Sequence, residues 1–258
     1  MDTNYFFWFL AICASVFVGL GKGGLPVVAG LAVPSLSLIM SPIAAASLLL
    51  PVYIVSDIFA LKAYRRDYDR EVLKIGLIGM TIGVLIGWAT AHIVIEWVIT
   101  ICIGVMGALF AFSNMRADKV RRSYKKQINT TKGYFWTVVA GFTSFISHNG
   151  GPPWQIYTLP LSLSKAVFVG TSVIAFSYCN AIKLVPYFFL DQINLFNIKI
   201  TLYLMLPAAI AVAIGVKAVK LIPETLFFRI VNWALLIISV KLIYDGVMMA
   251  FQLHYEIV

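Results

Sequence analysis

Two apolar stretches of this chain are broken by the same pattern. Gly19-Leu20-Gly21-Lys22-Gly23-Gly24-Leu25-Pro26 interrupts the first, and Ser147-His148-Asn149-Gly150-Gly151-Pro152-Pro153 interrupts the second. Gly23, Gly24 and Pro26 match Gly150, Gly151 and Pro153 at one constant offset. Glycine and proline weaken a helix, so a chain that places them twice inside apolar runs must gain something in return. In lipid, backbone freed by such a break is tolerated only when buried in protein or lining a polar cavity. Paired breaks at matching places in two halves point to a membrane protein with a ligand site near the bilayer midplane.

Composition identifies the surrounding solvent. The chain is 61% apolar and 12% charged, against about 25% charged in a soluble globular domain. This is the profile of a polytopic integral membrane protein. The formal charge of +9 does not imply nucleic acid. The basic residues lie in short loops between apolar segments, which is the positive-inside pattern. Cys13, Cys102 and Cys179 all fall in apolar segments and read as small buried packing residues. No metal-ligand spacing or disulfide framework is visible, and no cofactor is expected. Met1-Asp2-Thr3-Asn4 lacks a basic leader region, so the first segment is expected to be retained.

Apolar segments run over 5–20, 25–40, 43–61, 72–91 and 95–113, then 134–147, 153–161, 166–190, 197–219 and 224–248. This predicts an all-α bundle with a first repeat over 1–113, a basic linker over 114–133 and a second repeat over 134–258. A full crossing needs about 20 residues. Segment 153–161 would be only about 14 Å long as a helix and cannot cross alone. The first two segments of each half therefore read as a broken pair, either re-entrant or built of two tilted short helices.

Charge sets the orientation. Lys62, Arg65, Arg66, Arg70 and Lys74 crowd one loop; Arg116, Lys119, Arg121, Arg122, Lys125, Lys126 and Lys132 crowd the linker; Lys217 and Lys220 mark a third loop. These belong to the cytoplasmic side. Residues 91–96, 190–198 and 1–21 contain no Lys or Arg and belong outside, as does the C-terminus. The two halves then enter the membrane from opposite sides, which makes them inverted-topology repeats.

The chain resembles the TauE/SafE family of sulfite exporters and anion permeases over nearly its whole length. The resemblance rests on the duplicated glycine-rich break, on Ser41-Pro42-Ile43-Ala44 and Ser164-Lys165-Ala166 at the start of the third segments, on Gly170-Thr171-Ser172, and on the basic loop after segment three. Lys22 splits the first glycine run, His148-Asn149 precedes the second, and Ala45-Ala46-Ser47 stands where the family often has Gly-Thr-Ser. The resemblance implies transport of small sulfur oxyanions or organosulfonates, and in some members of other anions. The expected location is the bacterial cytoplasmic membrane.

The residues themselves suggest how an anion is held. Lys22 in a glycine-rich break is costly in a membrane unless it serves a site or snorkels to the interface. Gly21, Gly23 and Gly24 let backbone N–H groups approach a ligand, and the helix start at Leu25-Pro26 adds a positive dipole end. His148 and Asn149, with Gly150 and Gly151, occupy the equivalent break; they are either ligand donors or a helix-end cap. Trp154 and Gln155 follow on the first turn after that break, where Trp is more often an interface anchor than a ligand contact. In segment three, Asp57 and Asn180 fall at matching positions when the halves are aligned through Ser41 and Ser164, and Lys183 lies one turn after Asn180. Asp57 is the candidate for proton or charge coupling and Lys183 for substrate attraction; a structural ion pair is the other reading. Thr171 and Ser172 either line the cavity or bond backbone. Lys241 and Asp245 read as an i,i+4 structural pair. The Gly79, Gly83, Gly87 stripe permits close packing, internally or in a homodimer.

The function expected from these features is secondary transport of a small anion by alternating access. No GxxxxGK[ST] loop is present to bind ATP. The membrane potential favours export, at about 2.3 kcal/mol per charge per 100 mV. Proton-coupled uptake of an organic anion, with Asp57 or His148 as the coupling group, and an anion channel are the alternatives. His92, His148 and His254 are scattered and show no catalytic spacing, so no enzyme is expected.

Overall fold

The computed structural model describes residues 5–40, 42–116, 128–189 and 198–257. Ser41, the linker residues Lys119, Arg121, Arg122, Lys125 and Lys126, and the turn at 190–197 lie outside them. The described residues are all-helical, without a strand: α1 Tyr5–Lys22, α2 Pro26–Ala29, α3 Ala32–Ser37, α4 Pro42–Tyr64, α5 Arg70–Thr90, α6 Glu96–Arg116, α7 Thr130–Ser147, α8 Gly151–Thr158 with a 3-10 turn Leu159–Leu161, α9 Lys165–Phe189, α10 Ile198–Leu221 and α11 Glu224–Ile257. Among them, six helices are long and apolar enough to cross a membrane: α1, α5, α6, α9, α10 and α11. Segment 25–40 is not one helix. It splits into the single turn of α2 and the short α3 after the break that ends α1.

The outer faces explain the composition. Ile78, Ile82, Leu85 and Ile86 on α5, and Leu202, Leu206, Ile210 and Ile214 on α10, are exposed at helical spacing. Stripes this apolar are stable facing hydrocarbon and would be an aggregation liability in water. Cys179 is buried, whereas Cys13 is half-buried and Cys102 exposed. The expectation of three buried cysteines therefore fails at Cys102, because its face of α6 is one of the outer ones.

The chain forms two compact units, Met1–Asp69 with Ala166–Phe227, and Arg70–Lys165 with Phe228–Val258. Each draws on both sequence halves. In the first, α1, α3, α4 and α10 share a core of Phe7, Leu10, Ala11, Ala14, Val18, Ala32, Leu36, Ala45, Leu48, Leu49, Val52, Leu204 and Ala208. In the second, α5 lies against α7. A β-carbon on Gly83 would run into the Val138 carbonyl and lie 2.6 Å from the Phe142 nitrogen. The glycine stripe of α5 is thus consumed inside the chain and no longer argues for a homodimer. Asn114 Nδ2 donates to Asn232 Oδ1 at 2.7 Å and ties α6 to α11.

The main helix pairs are reciprocal. α1 packs on α10 in one unit and α7 packs on α5 in the other. Each is the first helix of one half against the fourth segment of the other. This exchange is compatible with the inverted repeat read from charge and length.

Candidate functional site

The first break ends α1 in a Schellman motif. Leu25 N donates to Leu20 O at 3.1 Å and Gly24 N to Gly21 O at 3.1 Å. That geometry puts the residue after the helix in the left-handed region, and Gly24 has φ +107°. A side chain there would also meet Val169, the Tyr64 hydroxyl and Val219 within about 3 Å. Gly23 lies against Gly215 of α10. Tyr64 Oη, at the end of α4, donates to the Gly23 carbonyl at 2.7 Å and so satisfies one of the acceptors that a helix end leaves open. Tyr64→Phe is expected to cost about 1–3 kcal/mol by stranding that buried carbonyl. Chemical unfolding in micelles, with the protein otherwise unchanged, measures it.

The anchoring of α1 carries Lys22 into a buried polar cluster. Lys22 Nζ lies 2.6 Å from Asp57 Oδ1, with side chains only 10% and 6% exposed. Ser177 Oγ donates to the same oxygen at 2.7 Å, and Asn180 Nδ2 to Oδ2 at 2.9 Å. The ammonium group lies 5.5 Å from the centre of the Tyr53 ring, within cation–π range. Lys183, 1% exposed, interacts electrostatically with Lys22, Asp57 and Cys179. Ser56, next to Asp57 in sequence, is fully buried, and its hydroxyl has no hydrogen-bond partner among the described residues. Three helices of one unit thus converge: α1 with Lys22, α4 with Tyr53 and Asp57, α9 with Ser177, Asn180 and Lys183.

Lys22 therefore does not snorkel. It is paired, and its partner is the aspartate singled out for coupling. Asp57 and Asn180, matched by repeat alignment, are in direct contact. Equivalent residues of a twofold repeat meet where the symmetry axis passes between them, so this contact accords with the repeat register. The helix-dipole argument at Leu25-Pro26 loses its footing, because α2 is a single turn and too short to build a macrodipole.

Thr171 and Ser172 are spent on backbone. Thr171 Oγ1 donates to Val167 O at 2.6 Å and accepts from Asp69 N at 2.9 Å, and Ser172 Oγ donates to Phe168 O at 2.7 Å. Gly170 faces the Asp67 carbonyl so closely that a β-carbon would collide with it. The Gly170-Thr171 pair thus docks the basic loop onto α9. Lys241 and Asp245 form the expected i,i+4 pair.

The second break lies in the other unit and is built differently. His148, with φ 56°, is itself the left-handed cap of α7. A non-glycine residue carries a cost of about 1–2 kcal/mol there. Asn149 Nδ2 donates to Ser147 Oγ at 3.2 Å, and the Asn149 carbonyl accepts from Thr143 Oγ1 at 3.2 Å. Gly150 caps α8 and Gly151 begins it; a β-carbon on Gly151 would meet nothing nearer than Gln155 Nε2 at 4.0 Å. Trp154 is 1% exposed and so is a core residue, not an interface anchor. Gln155 is buried, and its Oε1 has no hydrogen-bond partner among the described residues.

Sequence reasoning missed Tyr53, Tyr64 and Ser177. The signal was present in helical spacing. Tyr53, Asp57 and Tyr64 share one face of α4, and Ser177, Asn180 and Lys183 recur every third residue on α9.

No curated protein and no solved structure matches the chain. The family model described as "Sulfite exporter TauE/SafE" matches residues 6–242, which covers both breaks, both third segments and every residue of the buried cluster. By that match the chain belongs to the TauE/SafE sulfite exporter family of membrane transporters.

Proposed function

We propose that this protein is a secondary transporter of small anions, of the sulfur oxyanion or organosulfonate class, with its anion site at the Lys22–Lys183 cluster. The observation that carries this reading is the buried ion pair of that cluster. Lys22 and Asp57 lie 2.6 Å apart inside an apolar helix bundle, with Lys183 buried beside them. Ionisable groups held inside a membrane bundle are costly and mark substrate and ion pathways. Gly21, Gly23 and Gly24 hold the backbone of the break close to it. The inverted repeats supply alternating access. The loop carrying Lys62, Arg65 and Arg66 faces the cytoplasm and both termini face out. For an anion moving uncompensated, the potential favours export by about 2.3 kcal/mol per 100 mV.

Binding to purified protein tests this. Sulfite, thiosulfate, methanesulfonate, taurine, sulfate and acetate would be compared by thermal shift on wild type and on the double variant Lys22→Ala/Asp57→Ala, which leaves neither member of the pair alone. An anion at about a hundred times its dissociation constant stabilises the folded state by about 2.7 kcal/mol. Stabilisation of wild type by a sulfur anion, lost in the double variant, is the expected result. Equal stabilisation of both proteins would remove the cluster from the site, and no shift with any of the six would overturn the anion reading.

A further inference from the structure

Asp57 already occupies the position an anion would take. Its two carboxylate oxygens receive an ammonium, a hydroxyl and a carboxamide N–H at 2.6, 2.7 and 2.9 Å. Those three donors come from α1 and α9, while Asp57 itself stands on α4. A sulfonate or other oxyanion seeking Lys22 would find these donors engaged by a carboxylate of its own charge. Two unit charges about 4 Å apart repel strongly enough, at the effective dielectric of a partly buried site, to weaken binding by about a thousandfold.

A neutral Asp57 removes this conflict. A protonated carboxyl no longer holds the ammonium by charge, and its O–H becomes a donor to the incoming anion. We propose that Asp57 is an internal counter-anion that the substrate replaces only when a proton binds to it, so that the protein carries one monovalent anion together with one proton. This rests on the anion reading above and extends it to the coupling ion. The groups facing Asp57 are Lys22 from α1, Tyr53 from α4, and Ser177, Asn180 and Lys183 from α9. Among the described residues, no second carboxylate is one of these neighbours, so the proton has one acid to go to.

The charge balance follows. In the empty protein Lys22 and Asp57 cancel. In the loaded protein Lys22 and the monovalent anion cancel, while Asp57 is neutral. The site crosses with the same charge in both states, and the cycle moves an anion and a proton as a neutral sum. The membrane potential then does no work on transport, and the pH gradient sets its direction.

The experiment uses the full-length protein and methanesulfonate, a monovalent anion that does not titrate near neutral pH. Calorimetric titration in two buffers of different ionisation enthalpy gives the protons taken up per anion bound. Wild type is expected to take up close to one, with affinity falling about tenfold per pH unit on the alkaline side. The infrared difference spectrum on binding should gain the band of a protonated carboxyl. In Asp57→Asn, proton uptake and the pH dependence should both vanish. In proteoliposomes, methanesulfonate flux should follow an imposed pH gradient and ignore an imposed potassium diffusion potential. If wild type binds methanesulfonate with no proton and at a pH-independent affinity, this proposal falls while the anion reading stands. Proton uptake that persists in Asp57→Asn also overturns it, and where that variant does not fold the infrared band on wild type decides. If neither methanesulfonate nor any other anion of the panel binds, both readings fall together.

Discussion

Lys22→Ala destabilises the folded protein by about 3–5 kcal/mol, and Asp57→Ala by more. Removing one member of a buried ion pair leaves the other uncompensated, and that penalty is what the figure measures. The two variants are not equivalent. Without Lys22, the Asp57 carboxylate still accepts from Ser177 and Asn180. Without Asp57, the Lys22 ammonium loses its 2.6 Å partner while Lys183 stays buried beside it. The double variant Lys22→Ala/Asp57→Ala is expected to lose less than the two single losses combined, with a coupling of several kcal/mol, because no member of the pair is left alone. Adding Lys183→Met to Asp57→Ala should recover part of its loss. Unfolding of the four variants and wild type in one detergent checks the cycle. Losses that simply add would show that the 2.6 Å contact does not couple the two residues energetically.

That contact marks the limit of what could be read from sequence. The helices were legible almost end to end, because hydrocarbon demands long apolar runs and glycine, proline and charge punctuate them. The broken pair was legible for the same reason. Lys22, Asp57, Asn180 and Lys183 could each be singled out, since an ionisable or strongly polar group in an apolar run always asks for a partner. Who partners whom was not legible. Lys22 and Asp57 are far apart in the chain, and helical spacing relates only residues a turn or two apart. The repeat alignment came closest: it matched Asp57 to Asn180, and the two touch. The division into units was hidden as well, because α1 pairs with α10 and α5 with α7 across the sequence halves, and no local pattern encodes that exchange. Gly170, Thr171 and Ser172 illustrate a further ambiguity. Small and hydroxylated residues suit a ligand cavity and a close backbone contact equally well, and only coordinates separate the two.

Gly170→Ala is the next largest expected loss, and its contrast with Gly151→Ala separates packing glycines from site glycines. A β-carbon on Gly170 would lie 2.8 Å from the Asp67 carbonyl carbon and closer still to its oxygen. Both colliding groups are tied to backbone, so no rotamer change relieves them. Either the loop after α4 lifts or α9 shifts, and each breaks the bond from Asp69 N to Thr171 Oγ1. Overpacking of this kind costs about 1–3 kcal/mol and the lost hydrogen bond about 1 kcal/mol more. Because α9 carries Ser177, Asn180 and Lys183, a shift also loosens the donors around Asp57. Gly151 has no such neighbour. Its nearest atom would be 4.0 Å away, it sits in the first turn of α8, and its backbone is not in the left-handed region. Gly151→Ala should leave stability unchanged or raise it by a few tenths of a kcal/mol through the entropy of the unfolded chain. If the second break needs bare backbone to meet an anion, Gly151→Ala will weaken anion binding in a protein that melts like wild type, whereas Gly170→Ala will lower the melting midpoint first. A Gly170→Ala protein that melts with wild type would mean that the loop is not held against α9, and that Gly170-Thr171 does not dock it.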